Sequence, residues 1–432
     1  MRSDRRRCLM IKLFIIADDF TGALDTGVQL AAQGAKTRVI TNPEADFSKI
    51  GSEVSVLVLD AETRHLSAGE AYDIVFRAVR QAAALGVPYI YKKTDSALRG
   101  NIGAELHAVL SASGYGQLPF LPAFPQMGRT TSGGVHYISG TPVAESVFGL
   151  DPFEPVRHSD VAALINEQCE IPVTNCPPLT EFGPLSDTNG IVVYDAETEE
   201  DLAVAGRRLF EAGRLHVMAG CAGFGAILPE LLGLNIHKTN LPKLDERLLV
   251  LCGSVNPITV GQVAHAEENG FAHIRMTPAQ KLTAGYFATE EGRMAVKCWE
   301  KTLAQNAACI IDGNDEGDNT PTADYARAHG MTIDDIRVNI SGALGNIMMQ
   351  LFDSPFVGTL LITGGDTLLQ CMNSVGVHEM EPIGELFAGV VLSRFTLGGR
   401  TRFVISKSGG FGGETLLTDL ARMIRTPEEK EA

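Results

Sequence analysis

KLFIIADDFTGALDTG, residues 12–27, decides the fold class, because its grammar changes once, just after Ala17. Lys12 to Ala17 is an apolar run of buried-strand type. Gly22 to Gln33 carries helical spacing and is closed by Gly34. Two adjacent aspartates, Asp18 and Asp19, stand at the junction. In an open α/β sheet such a junction lies at the carboxyl edge, where ligands bind. One aspartate is enough to cap the helix, which leaves the other to grip a hydroxyl or orient a metal.

Outward from this unit the alternation repeats. Lys36 to Ile40 and Val54 to Leu59 are β-rich runs, Ala68 to Ala84 is an amphipathic helix stopped by Gly86, and Tyr89 to Lys92 is a short strand. Such alternation predicts a mainly parallel sheet covered by helices. Leu118 to Ile138, rich in Pro, Gly and Thr, reads as an extended loop region. Gly190 to Tyr194, Asp201 to Ala212 and Leu215 to Ala219 resume the pattern. The polar, aperiodic stretch 238–246 reads as a linker. It separates a domain at 10–237 from a second at 247–426. The second domain has strands at Leu248 to Cys252, Ala272 to Met276, Thr359 to Thr363 and Phe403 to Ser406. Its helices fall at Ile258 to Asn269, Asp334 to Phe352, Thr367 to Gly376 and Glu414 to Ile424. The expectation is two α/β domains with mainly parallel sheets and a cleft between them.

Composition narrows the function. A chain of 432 residues exceeds what one core usually organises, and 45% hydrophobic with 20% charged residues is ordinary for a globular protein. A formal net charge of −16 disfavours nucleic acid and anionic membranes as partners. Eight cysteines, with no CxxC pair and no zinc spacing, fit a reduced cytoplasmic compartment. Arg5 to Arg7 before an apolar stretch imitate a signal peptide. Lys12 interrupts the stretch, however, and Asp18-Asp19 follows where small residues should lie, so Met10 competes with Met1 as the start. No apolar run reaches the length of a membrane span.

Three further kinds of segment break the strand–helix grammar. In YIYKKTDSALRGNIGAEL (residues 89–106), Lys92, Lys93, Asp95, Ser96 and Arg99 crowd a strand end before a helix. Either this is a solvated loop with a polar cap, or its cations bind a carboxylate. Arg64, after the strand carrying Asp60, occupies an equivalent position. LPAFPQMGRTTSGGVHYISGTPVAES (residues 121–146) suits either a ligand-covering loop or a hairpin, and its lone His136 is read as structural. GCAGFGAIL (residues 220–228) lacks GxGxxG spacing and reads as helix–sheet packing. In the second half, LVLCGSVNP, LLITGGDTLLQ and FVISKSGGFGGETLL each place glycines between a strand and a helix. Such turns let backbone N–H groups approach phosphate oxygens. Three of them point to a nucleotide, while the absence of GxxxxGK[ST] excludes a P-loop.

Taken together, IADDFTGALDTG, ETRH, YKKTDSALRGNIGAEL, PAFPQMGRTT, CGSVNP, TGGDT and SKSGGFG resemble the four-carbon acid-sugar kinase family over residues 12 to 424. The resemblance implies an N-terminal sugar-acid-binding domain, a C-terminal nucleotide-binding domain, and phosphorylation of D-threonate, D-erythronate or 3-oxo-tetronate at the terminal hydroxyl. KKTDSALRGN looks closer to the threonate and erythronate kinases. By motif, Asp18, Asp19, Arg64, Lys93, Thr94, Asp95, Ser96 and Arg99 are the implied substrate contacts. Ser254, Gly364, Gly365, Asp366, Thr367, Gly409 and Gly410 are the implied ATP contacts.

The expected chemistry uses ATP with Mg²⁺. Arg64 and the Lys93 loop would hold the carboxylate, Asp18 or Asp19 the hydroxyls, and Asp366 would serve as general base or metal-orienting carboxylate. The expected partners are a small sugar acid and ATP, with no nucleic acid and no membrane, and a homo-oligomer is left open. Two alternatives of other classes are an NAD(P)-dependent sugar-acid dehydrogenase and a non-catalytic ATP- or sugar-acid-binding module.

Overall fold

The structure is a computed structural model that describes residues 11–151, 155–234 and 240–425. Position 10, a candidate start, and positions 238 and 239 of the expected linker lie outside the described residues. The fold comprises two compact units, one up to residue 239 and one from residue 240.

The N-terminal unit is built on eight strands. In chain order its elements begin β1 (Leu13–Ala17), α1 (Phe20–Ala32), β2 (Thr37–Ile40), β3 (Val56–Asp60), α2 (Ala68–Ala84) and β4 (Tyr89–Lys93). They continue with α3 (Ile102–Ser113), β5 (Gln117–Leu121), β6 (Arg129–Ser132), β7 (Val135–Ile138), β8 (Thr141–Pro142) and α4 (Val161–Asn166). The last are β9 (Val173–Cys176), β10 (Gly190–Tyr194), α5 (Glu199–Glu211), β11 (Val217–Gly220), α6 (Ala222–Gly225) and α7 (Leu228–Leu231). The sheet order is β2-β3-β1-β4-β11-β5-β10-β9, with every pairing parallel. Strand β1 is buried along its whole length because it pairs on both sides, with β3 and β4, and helices cover its faces. Register aligns Ala17 with Asp60 and with Lys93, so the chain segments after β1, β3 and β4 leave the sheet side by side.

Residues 118–138 depart from the expected loop. Leu118 to Leu121 lie in β5 of the main sheet, and β6-β7-β8 form a separate three-stranded antiparallel sheet. The Pro and Gly content that imitates a loop serves its tight turns: Gly133 and Gly134 both take positive φ at the β6–β7 turn. Gly223 of the GCAGFGAIL segment is a packing glycine. A Cβ there would stand 2.6 Å from the Ala123 carbonyl oxygen.

The C-terminal unit has β12 (Leu248–Cys252), α8 (Pro257–Glu268), β13 (Ala272–Arg275), α9 (Pro278–Leu282), α10 (Glu290–Gln305) and β14 (Ala308–Asp312). After these come α11 (Thr320–Ala328), α12 (Ile333–Leu351), β15 (Thr359–Thr363), α13 (Gly365–Ser374), β16 (Glu379–Phe387), β17 (Val390–Leu397), β18 (Arg400–Lys407) and α14 (Leu416–Arg425). Its order is β13-β14-β12-β15-β18-β17-β16. The first five strands pair in parallel, and β16, β17 and β18 pair antiparallel. Gly398 and Gly399, both at positive φ, make the two-residue turn that joins β17 to β18. Each unit has its own apolar core, around Phe14, Leu57 and Phe120 in the first and around Val250, Ile310 and Ile405 in the second.

Candidate functional site

At the carboxyl edge of the N-terminal sheet the predicted residues meet. Asp19 is the N-cap of α1 and accepts from the Gly22 amide at 3.0 Å. Asp18 is therefore released from capping and turns inward, 2% exposed. Its carbonyl accepts from the Thr63 and Arg64 amides, so the turn after β3 closes over it. Arg64 donates from Nε to Asp18 Oδ2 at 2.8 Å, and its NH1 lies 2.9 Å from Asp19 Oδ2. Its NH2 lies 2.7 Å from Asp18 Oδ2 and 3.8 Å from Asp95 Oδ1. Gly100 makes room for this arginine, since a Cβ there would stand 3.0 Å from Arg64 Cγ.

Asp95 in turn receives a two-point contact from Arg99, both bonds at 3.0 Å, and Arg99 NH1 reaches Asp151 at 3.6 Å. Lys92 points to the opposite side of β4. There it pairs with Glu105 at 2.9 Å, both side chains being fully buried. Lys93 lies by the start of α1: a Cβ on Gly22 would meet its Nζ at 2.8 Å. Thr94 is fixed by its amide, which donates to the Gly220 carbonyl, while its buried hydroxyl has no partner among the described residues. The Ser96 carbonyl accepts from His136 Nε2 at 3.0 Å.

The electrostatics follow from these pairings. Burial alone would raise the Asp18 carboxyl, but Arg64, Lys92 and Lys93 hold it below the usual carboxylate range. Asp95 is likewise held down against burial, by Arg64 and Arg99. Asp18 is thus an ionised, nearly buried carboxylate whose Oδ1 has no hydrogen-bond partner among the described residues. Such an oxygen can accept from a ligand hydroxyl. The expected role of Arg64 is corrected here. Its fork is engaged by three aspartates, so it orients them and does not stand open to a carboxylate.

Some of the framework was not expected from sequence. Asp60, fully buried at the end of β3, is pushed well above the usual range by burial and by the nearby Glu62 and Asp19. Glu105 was unassigned; its signal was a carboxylate in an apolar helix opposite the two lysines of β4. His136 is buried between the Thr131 hydroxyl and the Ser96 carbonyl, and burial lowers it to about 4. Because a carbonyl can only accept, Nε2 carries the proton. His136 is a neutral brace.

In the C-terminal unit the three glycine turns converge at the carboxyl ends of β12, β15 and β18. A Cβ at Gly253 would stand 2.0 Å from Thr367 Oγ1, and one at Gly409 would stand 2.9 Å from Ser254 Oγ. Gly364 takes φ of 93°, which favours glycine, and its amide donates to the Lys407 carbonyl. Gly365 opens α13, with Asp366 in its first turn and Thr367 buried behind it. Gly410 stands beside the Asn256 amide.

Lys407, part of the third glycine turn but given no contact role from sequence, braces that turn. Its Nζ donates to Thr259 Oγ1 and to the Ser408 and Gly409 carbonyls at 3.0, 3.0 and 3.2 Å, and burial lowers it to about 8. The turn's carbonyls are thus drawn inward by the Lys407 side chain. Asp366 is half exposed and pairs with Arg337 at 2.7 Å. Among the described residues no group of three or more His, Cys, Asp or Glu side chains could hold a metal ion. A nucleotide-borne Mg²⁺ does not need one, since phosphates, waters and one or two carboxylates suffice. Asp366 is the carboxylate that stands in the first turn of α13, beside the glycine turns.

Comparison with known proteins follows the same division. The model of a sugar-binding N-terminal domain matches residues 13–228, and that of a nucleotide-binding C-terminal domain matches residues 249–417. The chain is 30% identical to a D-threonate kinase of Salmonella typhimurium, over 95% of this chain and 97% of that protein. It is 27% identical to a D-erythronate kinase of Heliobacterium modesticaldum, with 94% and 95% covered. A 3-oxo-tetronate kinase of Cupriavidus necator is 25% identical, with 95% and 96% covered. A solved structure from Haemophilus influenzae shares the fold at a TM-score of 0.70 and 20% identity, with 95% and 99% covered. Another, from Salmonella typhimurium LT2, does so at 0.79 and 22%, with 95% and 98% covered.

Proposed function

The chain belongs to the four-carbon acid-sugar kinase family, and we propose that it transfers the γ-phosphoryl group of ATP to the terminal 4-hydroxyl of D-threonate or D-erythronate. The observation that carries this reading is the buried, ionised Asp18, whose Oδ1 is unpartnered among the described residues, held by Arg64 at the carboxyl edge of the N-terminal sheet. An ionised carboxylate that can only accept is suited to a polyol, whose hydroxyls donate. Lys93 supplies positive charge for the acid group beside it.

Phosphoryl transfer asks the protein mainly to position its reactants and to neutralise charge. In this reading the hydroxyl oxygen bonds to the γ-phosphorus, the bond to the β-phosphate oxygen breaks, and ADP leaves. The hydroxyl proton passes to a carboxylate, for which Asp366 is the candidate. The amides at Ser254, Gly365 to Thr367, Gly409 and Gly410 meet the phosphates, while the Gly364 amide, already bonded to the Lys407 carbonyl, shapes the turn. Mg²⁺ bound to ATP supplies further charge neutralisation, and Asp366 is the side chain that would face it. Seven unpaired cysteines among the described residues support a reducing, cytoplasmic location.

A panel assay tests the reading. ADP release with ATP is measured over D-threonate, D-erythronate and 3-oxo-tetronate, beside absorbance with NAD(P). Turnover of D-threonate or D-erythronate with ATP is expected. Preferred turnover of 3-oxo-tetronate moves the assignment to that kinase, and NAD(P)-linked oxidation alone would replace it with the dehydrogenase.

A further inference from the structure

Five cations gather at the N-terminal site, and three of them are already paired. Lys92 is paired with Glu105, Arg64 with Asp18, Asp19 and Asp95, and Arg99 with Asp95 and Asp151. Lys93 and Arg129 remain. Neither side chain makes an ion pair or hydrogen bond among the described residues. Arg129 Nε is buried without a partner, a costly arrangement for a charged group unless a ligand completes it.

Arg129 opens β6 and is held in place by its backbone. It exchanges two hydrogen bonds with Phe124, its amide to the Phe124 carbonyl and the Phe124 amide to its own. One residue earlier, the Ala123 carbonyl accepts from Cys221 Sγ at 3.2 Å. Cys221 follows Gly220, which is registered against Lys93 in the sheet. The path from Lys93 to Arg129 therefore crosses three contacts: the Lys93–Gly220 sheet register, the Cys221 thiol on the Ala123 carbonyl, and the Phe124–Arg129 backbone pair. The thiol between them responds to both charges: burial raises Cys221, while Lys93 and Arg129 act to lower it. The Arg129 guanidinium also stands 5.7 Å from the centre of the Phe148 ring, which Arg99 shares at 5.3 Å, so both arginines flank one aromatic ring.

We propose that Arg129, with Lys93, forms the receptor for the substrate carboxylate and sets the preference of the enzyme for an acid over a neutral polyol. This deepens the kinase reading and rests on its assignment of a four-carbon acid to the N-terminal unit. The division of labour is chemical. Asp18 and Asp19, oriented by Arg64, accept from hydroxyls, while the two unpaired cations take the one group of the substrate that carries negative charge. A guanidinium offers two parallel N–H donors to a carboxylate, and an ammonium offers a point charge.

The test compares wild type, Arg129→Gln and Arg129→Lys. Substrates are D-threonate and D-erythronate, with the polyols threitol and erythritol as uncharged probes. Binding of each is measured by calorimetry in parallel with ADP release. Arg129→Gln is expected to raise KM for the acids by about tenfold to a hundredfold, with KM for ATP and the response to polyols unchanged. Arg129→Lys should recover part of the loss, and because it keeps the charge it also serves if the Gln variant folds poorly. Acid kinetics within twofold of wild type in Arg129→Gln would overturn the receptor and leave the kinase reading intact. Arg129-dependent binding of acids without phosphorylation would sustain the receptor and remove the kinase reading. Absence of acid binding to wild type removes both.

Discussion

The two sheets present the same edge and equip it by opposite means. In the N-terminal unit, side chains make the edge: Arg64 alone touches Asp18, Asp19 and Asp95. In the C-terminal unit, backbone makes it, with glycines packed so closely that a Cβ at Gly253 would stand 2.0 Å from Thr367 Oγ1. The contrast follows from what each edge has to hold. A small polyhydroxy acid must be told apart from its stereoisomers, which requires discrete acceptors at fixed places. A phosphate chain needs many donors around diffuse charge, and main-chain amides supply them without side-chain entropy.

The harshest test of this contrast is the one place where the backbone edge depends on a side chain. Asp366→Asn should lower kcat by roughly 10²–10⁴-fold if Asp366 accepts the proton or faces the metal. Melting temperature should barely move, since a half-exposed ion pair contributes only about 0–1 kcal/mol. A kcat within a few-fold of wild type would break the assignment and turn attention to Asp18→Asn and Asp19→Asn.

Next comes Gly409→Asp, which sets a carboxylate where an anion should lie. KM for ATP should rise by about tenfold or more, with acid binding unchanged, because like charges would face each other at close range. Unaltered ATP kinetics would show that the SKSGG turn is not a phosphate site.

Arg64→Lys probes the other edge. The charge stays but the fork is lost, so Asp18 and Asp19 lose their common clamp. Acid affinity should weaken by about 1.5–3 kcal/mol while ATP affinity holds. Equal weakening of both substrates would make Arg64 a general structural residue.

The smallest effect separates the units by pH. Burial lowers His136 to about 4 from an ordinary 6.5, so the unfolded chain takes up its proton first on acidification. Its contribution to stability is therefore full above 6.5 and is lost as pH falls toward 4, amounting to about 1 kcal/mol between pH 7 and 5.5. His273 has the reverse sign. Burial would lower it, but hydrogen bonds to Asp312 and Glu267 raise it, so its contribution is full below 6.5 and is lost as pH rises. Asp60, raised by burial, opposes His136 within the same unit, so each histidine is judged by its own variant. By hydrogen exchange, His136→Gln should make the N-terminal unit less sensitive to acid. His273→Gln should make the C-terminal unit more sensitive. A change of the same sign in both units would refute the opposed assignments.

Elements with a strong period were legible in the sequence. Ala68–Ala84, Gly190–Tyr194, Leu248–Cys252 and Thr359–Thr363 occupy the residues that their patterns indicate. For residues 121–146 sequence left a loop and a hairpin open, because the strands are short and glycine-flanked and no alternation builds up; the structure has the hairpin, extended by β8. Motif position brought Asp18, Arg64 and Asp95 to one edge, but sequence could not reveal who pairs with whom. Arg64 therefore looked open, and Arg129 passed unassigned. Lys407 was hidden for a related reason: a lysine beside glycines suggests a phosphate contact, and only packing shows its three acceptors lying inward.

The small antiparallel sheet has one consequence for the way this enzyme could diversify. The start of β6 and the end of β7 are tied together, with the Ser139 amide donating to the Gly128 carbonyl at 2.6 Å. Asp195 clasps its tip through the Gly133 and Gly134 amides. It is a cassette, buttoned at its tip and bridged to the rest of the unit at Thr131–Ala196 and Val135–Asp160. Exchanging residues 129–138 with those of a relative should transplant acid preference without redesigning the parallel sheet and helices beneath. Selection could reach a new substrate by the same short route, through a single hairpin's length of coding sequence.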